Sequence, residues 1–217
     1  MFIKSLFLTG FLLVSQTTFC DDDRAQLDEC CRLMRTRGRE NDVMQHISNM
    51  SSDTLNMKNQ YGFTILHTAV FSNNVNAVNL LLSKMSQKAI DAQVDKGVFA
   101  RHIENSIIFS DFEKSHKKTA LHYATCFNSP KARTEIAILL ISQMSLDAIS
   151  AKDGEGNTAL HFVVWNQNVE LIQLLLSKMS QEAIHVKNNR GFTALDYAIE
   201  QVSKDIADMI RAAIQQK

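Results

Sequence analysis

Proline is almost missing from this chain: Pro130 is the only one among 217 residues, and glycine occurs seven times. That leaves few rigid turns and no flexible low-complexity linker. An excess of either charge is missing too. Lys and Arg together number 23 and Asp and Glu number 23, so the formal net charge is zero. A protein built to grip nucleic acid carries a basic face that this balance does not supply, and no nucleic-acid partner is expected. Long hydrophobic runs are lacking as well. The apolar stretch from Leu6 to Val14 falls short of the roughly 20 residues of a membrane span, and no other segment fits one. Cysteine is sparse: Cys20, Cys30, Cys31 and Cys126, with no Cys-x-x-Cys pair. Cys30 and Cys31 are neighbours and cannot readily bridge, so neither a disulfide scaffold nor a zinc site is expected, and the thiols read as buried and free.

Catalytic signatures are absent in the same way. No Gly-x-Ser-x-Gly elbow, Gly-rich phosphate loop or His-Glu-x-x-His motif occurs. Gly154-Glu155-Gly156 reads as a turn, because no lysine and helix follow at phosphate-loop spacing. No cofactor, no metal and no enzymatic activity are expected.

What the chain does have begins with its first twenty residues. Lys4 gives a positive start, Leu6 to Val14 an apolar core, and small polar residues lead to Cys20 and the acidic run Asp21-Asp22-Asp23. This is the layout of a secretory signal peptide, so residues 1–20 are expected to be removed on export to the periplasm or the medium. Cleavage after Cys20 puts Thr18 at −3 and Cys20 at −1. A lipoprotein would make Cys20 the lipidated residue, but Phe19 is bulky where a small residue is wanted.

The remainder repeats itself. Leu81-Leu82-Ser83-Lys84-Met85-Ser86-Gln87-Lys88-Ala89-Ile90 returns as Leu175-Leu176-Ser177-Lys178-Met179-Ser180-Gln181-Glu182-Ala183-Ile184, with a looser copy from Leu140 to Ile149. Each follows a second motif: Thr64-Ile65-Leu66-His67, Thr119-Ala120-Leu121-His122 and Thr158-Ala159-Leu160-His161, while Thr193-Ala194-Leu195-Asp196 opens a last unit. The tetrads lie 55, 39 and 35 residues apart, so the base unit is 35, with twenty extra residues between about Val94 and Lys117 and four around Asn128 to Arg133. Within the third unit, Thr158 is placed to cap a helix carrying Leu160, Val163 and Val164 on one face. After a break at Asn166 to Asn168, Val169, Ile172, Leu175, Leu176 and Met179 recur at helical spacing. Ser180 can cap one further turn. Neither helix buries enough apolar surface alone, so such units persist only when stacked.

The tetrad, a glycine two residues before it (Gly62, Gly156, Gly191) and the following Val/Ile-x-x-Leu-Leu-Leu helix together resemble the ankyrin repeat over residues 58–217. The resemblance implies an all-α solenoid of antiparallel helix pairs with short β-hairpin fingers, and non-catalytic binding of a protein partner. The tetrads depart from the family's usual proline, with Ile65, Ala120, Ala159 and Ala194 in its place. The Met-Ser-x-x-Ala-Ile turn replaces the glycine that normally ends the second helix. Lys117 stands where unit two should have its glycine, which puts that finger in doubt, and Asp196 stands where unit four should have histidine. The organisation expected is a degenerate capping unit over 21–57, repeats at 58–93, 118–152, 153–187 and 188–217, and an insertion at 94–117. An export signal joined to this style of repeat resembles ankyrin proteins of intracellular bacteria, some of which act on host targets. A host-directed effector and a periplasmic structural or protective partner are the two destinations this implies for a monomeric chain.

His67, His122 and His161 recur in register. As a metal ladder they fail, because stacked units lie about 10 Å apart and zinc ligands about 2 Å from the metal. In the family this histidine ties neighbouring units. Partner contacts in the family come from finger tips and the outward surface of the first helices. Carried over, these positions include Gln60, Tyr61, Phe63, Phe71, Ser72, Cys126, Phe127, Glu155 and Asn157, then Trp165, Asn166, Asn189, Arg190, Phe192, Glu200 and Gln201. The chief candidates are Tyr61, Phe63, Phe71, Phe127, Trp165, Asn166, Arg190 and Phe192. Phe71, Phe127 and Trp165 would either form an apolar stripe or pack against neighbouring units. In the insertion, Phe99, Ile103 and Ile107 are spaced four apart, with Ile108, Phe109 and Phe112 nearby, as in a short amphipathic helix that lies on the solenoid or docks a partner. His102, Glu104, Asp111 and His116 are the only groups there from which an active site could be assembled.

A fragment confined to residues 150–190 is expected to show no cooperative thermal transition by circular dichroism, because one unit cannot close a core. A sharp transition in the fragment would contradict the stacked reading.

Overall fold

The structure is a computed structural model that describes residues 22–36, 38–59, 62–94, 117–126 and 131–216. The leader, the interior of the insertion, Gln60, Tyr61 and Phe127 lie outside the described residues. Fourteen helices are described: α1 (22–34), α2 (Glu40–Asn49), α3 (Ser52–Leu55), α4 (Ile65–Phe71), α5 (Val75–Lys84), α6 (Gln87–Ile90), α7 (Ala120–Thr125), α8 (Lys131–Gln143), α9 (Leu146–Ile149), α10 (Ala159–Trp165), α11 (Val169–Lys178), α12 (Gln181–Ile184), α13 (Ala194–Glu200) and α14 (Lys204–Gln216). First helices pack on first helices of the next unit (α4 on α7, α7 on α10, α10 on α13), and second helices on second helices (α2, α5, α8, α11, α14). The fold is an all-α stack of helix pairs.

Capping residues explain where the helices start. All four tetrads form capping boxes, Thr64 with His67, Thr119 with His122, Thr158 with His161 and Thr193 with Asp196. Asn74 and Asn168 accept the amides of Ala77 and Leu171 at the starts of α5 and α11. Ser51, Ser86, Ser145 and Ser180 do the same for α3, α6, α9 and α12. The Met-Ser-x-x-Ala-Ile segment is therefore a third, one-turn helix in each of the first three repeats. Its isoleucine (Ile90, Ile149, Ile184) goes into the core beside Leu66, Leu81, Leu121, Leu140, Leu160 and Leu175. Each such side chain contributes roughly 1.5–3 kcal/mol when fully buried.

Helix-to-helix loops turn through left-handed backbone. Gly38, Asn73, Gln167 and Val202 occupy the equivalent site with φ of 80°, 54°, 55° and 58°. Gly38 and Asn73 are 35 residues apart, so residues 22–55 run through the same three-helix order as the later units.

The fingers are tighter than hairpins. Among the described residues the only β pairing is the antiparallel bridge Gln93–Thr119. Each finger is a five-position turn closed by two backbone bonds. Asn59 N–H donates to Phe63 O (2.8 Å) and Gly62 N–H to Asn59 O (2.9 Å); the same pair recurs at Asp153–Asn157 and Asn188–Phe192. Asn59, Asp153 and Asn188 also accept amides of their own turns, so the side chain replaces strand pairing. The second unit keeps this geometry despite its insertion. Val94 N–H donates to Lys118 O (3.0 Å), Lys117 N–H donates to Val94 O (2.8 Å), and Lys117 takes φ 64° where the others place glycine. The doubt raised by Lys117 is thereby corrected.

Side chains also cross from unit to unit on the short-helix side. Ser52 Oγ donates to Lys84 O, Gln87 Nε2 to Gln143 O, and Gln181 Nε2 to Ala213 and Ile214 O. Leu146 occupies this register in unit two and is exposed.

Two finger positions in left-handed backbone, 117 and 156, favour glycine for different reasons. Lys117 pays a left-handed penalty of about 1 kcal/mol that Lys117→Gly removes, raising the melting temperature by about 2–4 °C. Gly156→Ala should lower it by more, since a Cβ there would sit 2.7 Å from Asn189 Oδ1 and 2.9 Å from Asn189 N. Differential scanning calorimetry of both variants decides this; equal or reversed shifts would contradict the assignment.

Candidate functional site

The tetrad histidines are all buried. His122 and His161 accept at Nδ1 from the N–H of Thr119 and Thr158 (both 3.1 Å). Their Nε2–H donates onward to the next unit, His122 to Asn157 O and His161 to Phe192 O, each 3.2 Å. Two partners of opposite kind hold the neutral Nε2–H tautomer. His67 closes its own box in the same way (3.2 Å), but its Nε2 has no hydrogen-bond partner. The equivalent carbonyl, Lys118 O, belongs to the finger that bears the insertion. Asp196 reproduces only the inward half, accepting at Oδ2 from Thr193 N–H and Oγ1–H at 2.7 Å. Those bonds hold its carboxyl below the usual range.

The residue after each tetrad completes the joint. His67 meets Tyr123 edge to face at 5.8 Å and 82°, His122 meets Phe162 at 6.1 Å and 85°, and His161 meets Tyr197 at 6.0 Å and 84°. Three unlike units thus share one imidazole–aromatic contact across each boundary. Aromatics directly after the tetrad (Tyr123, Phe162, Tyr197) were the available sequence signal for this row, which family-based reasoning about exposed positions passes over.

The candidate partner residues separate into two groups. Phe63 is 5% exposed and packs on His67 and Tyr123, so it is core and not a surface anchor. Phe71 is half-buried against Tyr123, ring centroids 5.3 Å apart. Phe192 is half-buried and stacks on Tyr197 at 15°. Asn166 donates to Thr125 O at 2.7 Å, which makes it an inter-unit tie. Asn157, read as a finger-tip contact, is buried and accepts from Asn188 Nδ2, which also reaches Tyr197 Oη. Burial of these side chains follows from contacts with the next unit, which spacing within one unit does not reveal. Trp165 is 57% exposed even though it lies edge-on to Tyr197. Arg190 is exposed over the face of Phe192, and Glu155, Asn189 and Glu200 are exposed. Tyr61 and Phe127 lie outside the described residues.

The remaining ionisable groups sit in the packing. Burial pushes the Cys30 thiol up to about 12, and Cys31 and Cys126 upward too. Cys31 Sγ–H points at Thr68 Oγ1 at 3.6 Å. Burial also raises the Asp153 carboxyl, against the amides that its turn offers it. Among the described residues no group of three His, Cys, Asp or Glu side chains is arranged to hold a metal ion, and no helix is long and apolar enough to cross a membrane.

A family model described as ankyrin repeats (3 copies) matches residues 25–150 and 131–216. No curated protein matches the sequence.

Burial first, and then a lysine charge (Lys58 for His67, Lys118 for His122, Lys152 for His161), disfavours protonation of these imidazoles. His67 is pulled from 6.5 down to about 3 and His122 to about 4; His161 is lowered as well. Between those values and 6.5 the unfolded chain binds protons that the folded chain refuses. Stability is therefore complete above about pH 6.5 and falls as the pH drops toward 4, by up to about 1.4 kcal/mol per pH unit for each of His67 and His122. Urea unfolding at stepped pH should show this slope, reduced in His122→Gln. A flat profile over that window would contradict the neutral joints.

Proposed function

From the premise that this chain belongs to the ankyrin-repeat family, we propose that it is an exported, non-catalytic scaffold that binds a protein partner outside the cell that makes it. One observation carries the binding half of this reading: a recurring buried core holds exposed side chains that differ from unit to unit. The threonine, leucine and histidine of each complete tetrad are core residues, as are Leu81, Leu140 and Leu175 of the outer helices. The exposed positions on the same framework differ from unit to unit, as with Trp165 and Glu200 in one register and Glu155 and Arg190 on neighbouring fingers. A repeating core that presents unlike side chains at fixed spacing suits recognition of an extended protein surface. Its buried histidines, thiols and Asp153 serve the packing, which leaves them poorly placed for proton transfer to a substrate.

Export is supported by the leader alone: Lys4, the short apolar stretch to Val14 and the small residues before Asp21. A host-directed role extends the same reading, since a scaffold released from its cell acts on whatever protein surface it meets there.

Two measurements test the two halves separately. Expression of the tagged full chain, followed by fractionation and N-terminal sequencing, should give a product outside the cytoplasm that begins at Asp21. Retention of Met1 in the cytoplasm would refute export. Affinity purification with the wild type and with Glu155→Lys/Arg190→Glu should yield a partner that the double variant loses at unchanged melting temperature. Identical captures would move recognition off the fingers.

A further inference from the structure

Five large hydrophobic side chains are exposed among the described residues, and four of them lie in or beside two adjacent loops. Trp165 and Val169 flank the loop of unit three; Ile199 and Val202 border or occupy that of unit four. The loops are coupled: Gln201 Nε2 donates to Trp165 O at 3.2 Å, and Gln167 Nε2 to Gln201 Oε1 at 3.3 Å. They are also braced from behind. Asn166 and Asn168 reach back to Thr125 O and Thr134 Oγ1, and Trp165 rests edge-on against Tyr197. The apolar groups are therefore presented on a fixed support.

Val202 is the least expected of them. It is 87% exposed and sits at φ 58°, where other units use Gly38, Asn73 and Gln167. A β-branched residue in left-handed backbone is strained, and an isolated valine gains nothing from water. The chain keeps a side chain there that its own fold disfavours on both counts, as at sites where strain serves contact with something else.

The rim decides what that is. Within three residues of these four side chains along the chain, the exposed charged groups are Glu170, Glu200 and Asp205, with Lys204. Three carboxylates to one ammonium repel anionic lipid headgroups and a second copy of the same patch, and attract a basic surface. We propose that this loop edge, and not the first-helix face, is a docking site for a helix of a partner protein whose apolar side chains are flanked by lysine or arginine. The inference rests on the reading of the chain as a binding scaffold and assigns it a second surface.

Trp165 is the only tryptophan, so its emission reports the site directly. The probe is a synthetic 18-residue amphipathic peptide of leucine and lysine, with a leucine–glutamate peptide as its opposite, titrated into the full chain at low salt. The lysine peptide should give a saturable blue shift and the glutamate peptide none. Val202→Asn should weaken binding at least tenfold while raising the melting temperature by about 2–4 °C, because asparagine tolerates that backbone. Glu170→Lys/Glu200→Lys should also weaken it, and Arg190→Glu should leave it unchanged. The proposal is overturned by no saturable shift, by equal response to both peptides, or by wild-type affinity in Val202→Asn. A shift with neutral lipid vesicles, or self-association through the patch in sedimentation, overturns it as well. Failure here alongside a partner lost from Glu155→Lys/Arg190→Glu would end this inference and leave the proposed function standing.

Discussion

No helix pair in this chain buries enough apolar surface to persist alone, so the fold depends on what joins one pair to the next. At two of the joints the join is a neutral imidazole. His122 and His161 accept from the threonine that starts their own helix and donate to the carbonyl that ends the next unit's finger. One side chain thus sets where a helix begins and how far away its neighbour lies. That double duty requires a ring with an acceptor on one side and a donor on the other, which neutral histidine supplies and a carboxylate does not. Asp196 marks the contrast: it caps its own helix with both oxygen-directed bonds and offers nothing outward.

The same arrangement accounts for the joint that is built differently from the others. Between the first and second complete units the finger carries the inserted residues, Lys117 stands in for glycine, and His67 keeps its inward bond but lacks the outward one. Packing fills in: Phe63, Phe71 and His67 all bear on Tyr123. Neighbouring units are therefore held by different mixtures of polar and aromatic contact on one backbone plan. A side chain can change at one joint without altering the others, which lets exposed positions diversify.

Legibility in the sequence followed the range of the interaction. Thr158 as a cap, Ser180 as the start of a further turn, and Leu160, Leu175 and Ile184 as core all depend on residues within one unit, and local spacing reveals them. Phe63, Asn157 and Asn166 were read as surface because spacing places them at a finger or helix end. They are buried or tied by residues 60, 31 and 41 positions away: Tyr123, Asn188 and Thr125. Val202 carries no local signal, since nothing in a lone valine announces a left-handed backbone.

By itself the sequence determined the unit: its 35-residue period, its helix starts, its inward face and the recurring histidine, because each is set by contacts closed within a few turns of chain. Only the tertiary structure decided which aromatics are joints and which are surface. It also showed that the fingers close as turns and that unlike loops from two units form one apolar edge. Those outcomes depend on the distance and rotation between stacked units, which is fixed by packing across the boundary and written in no single repeat.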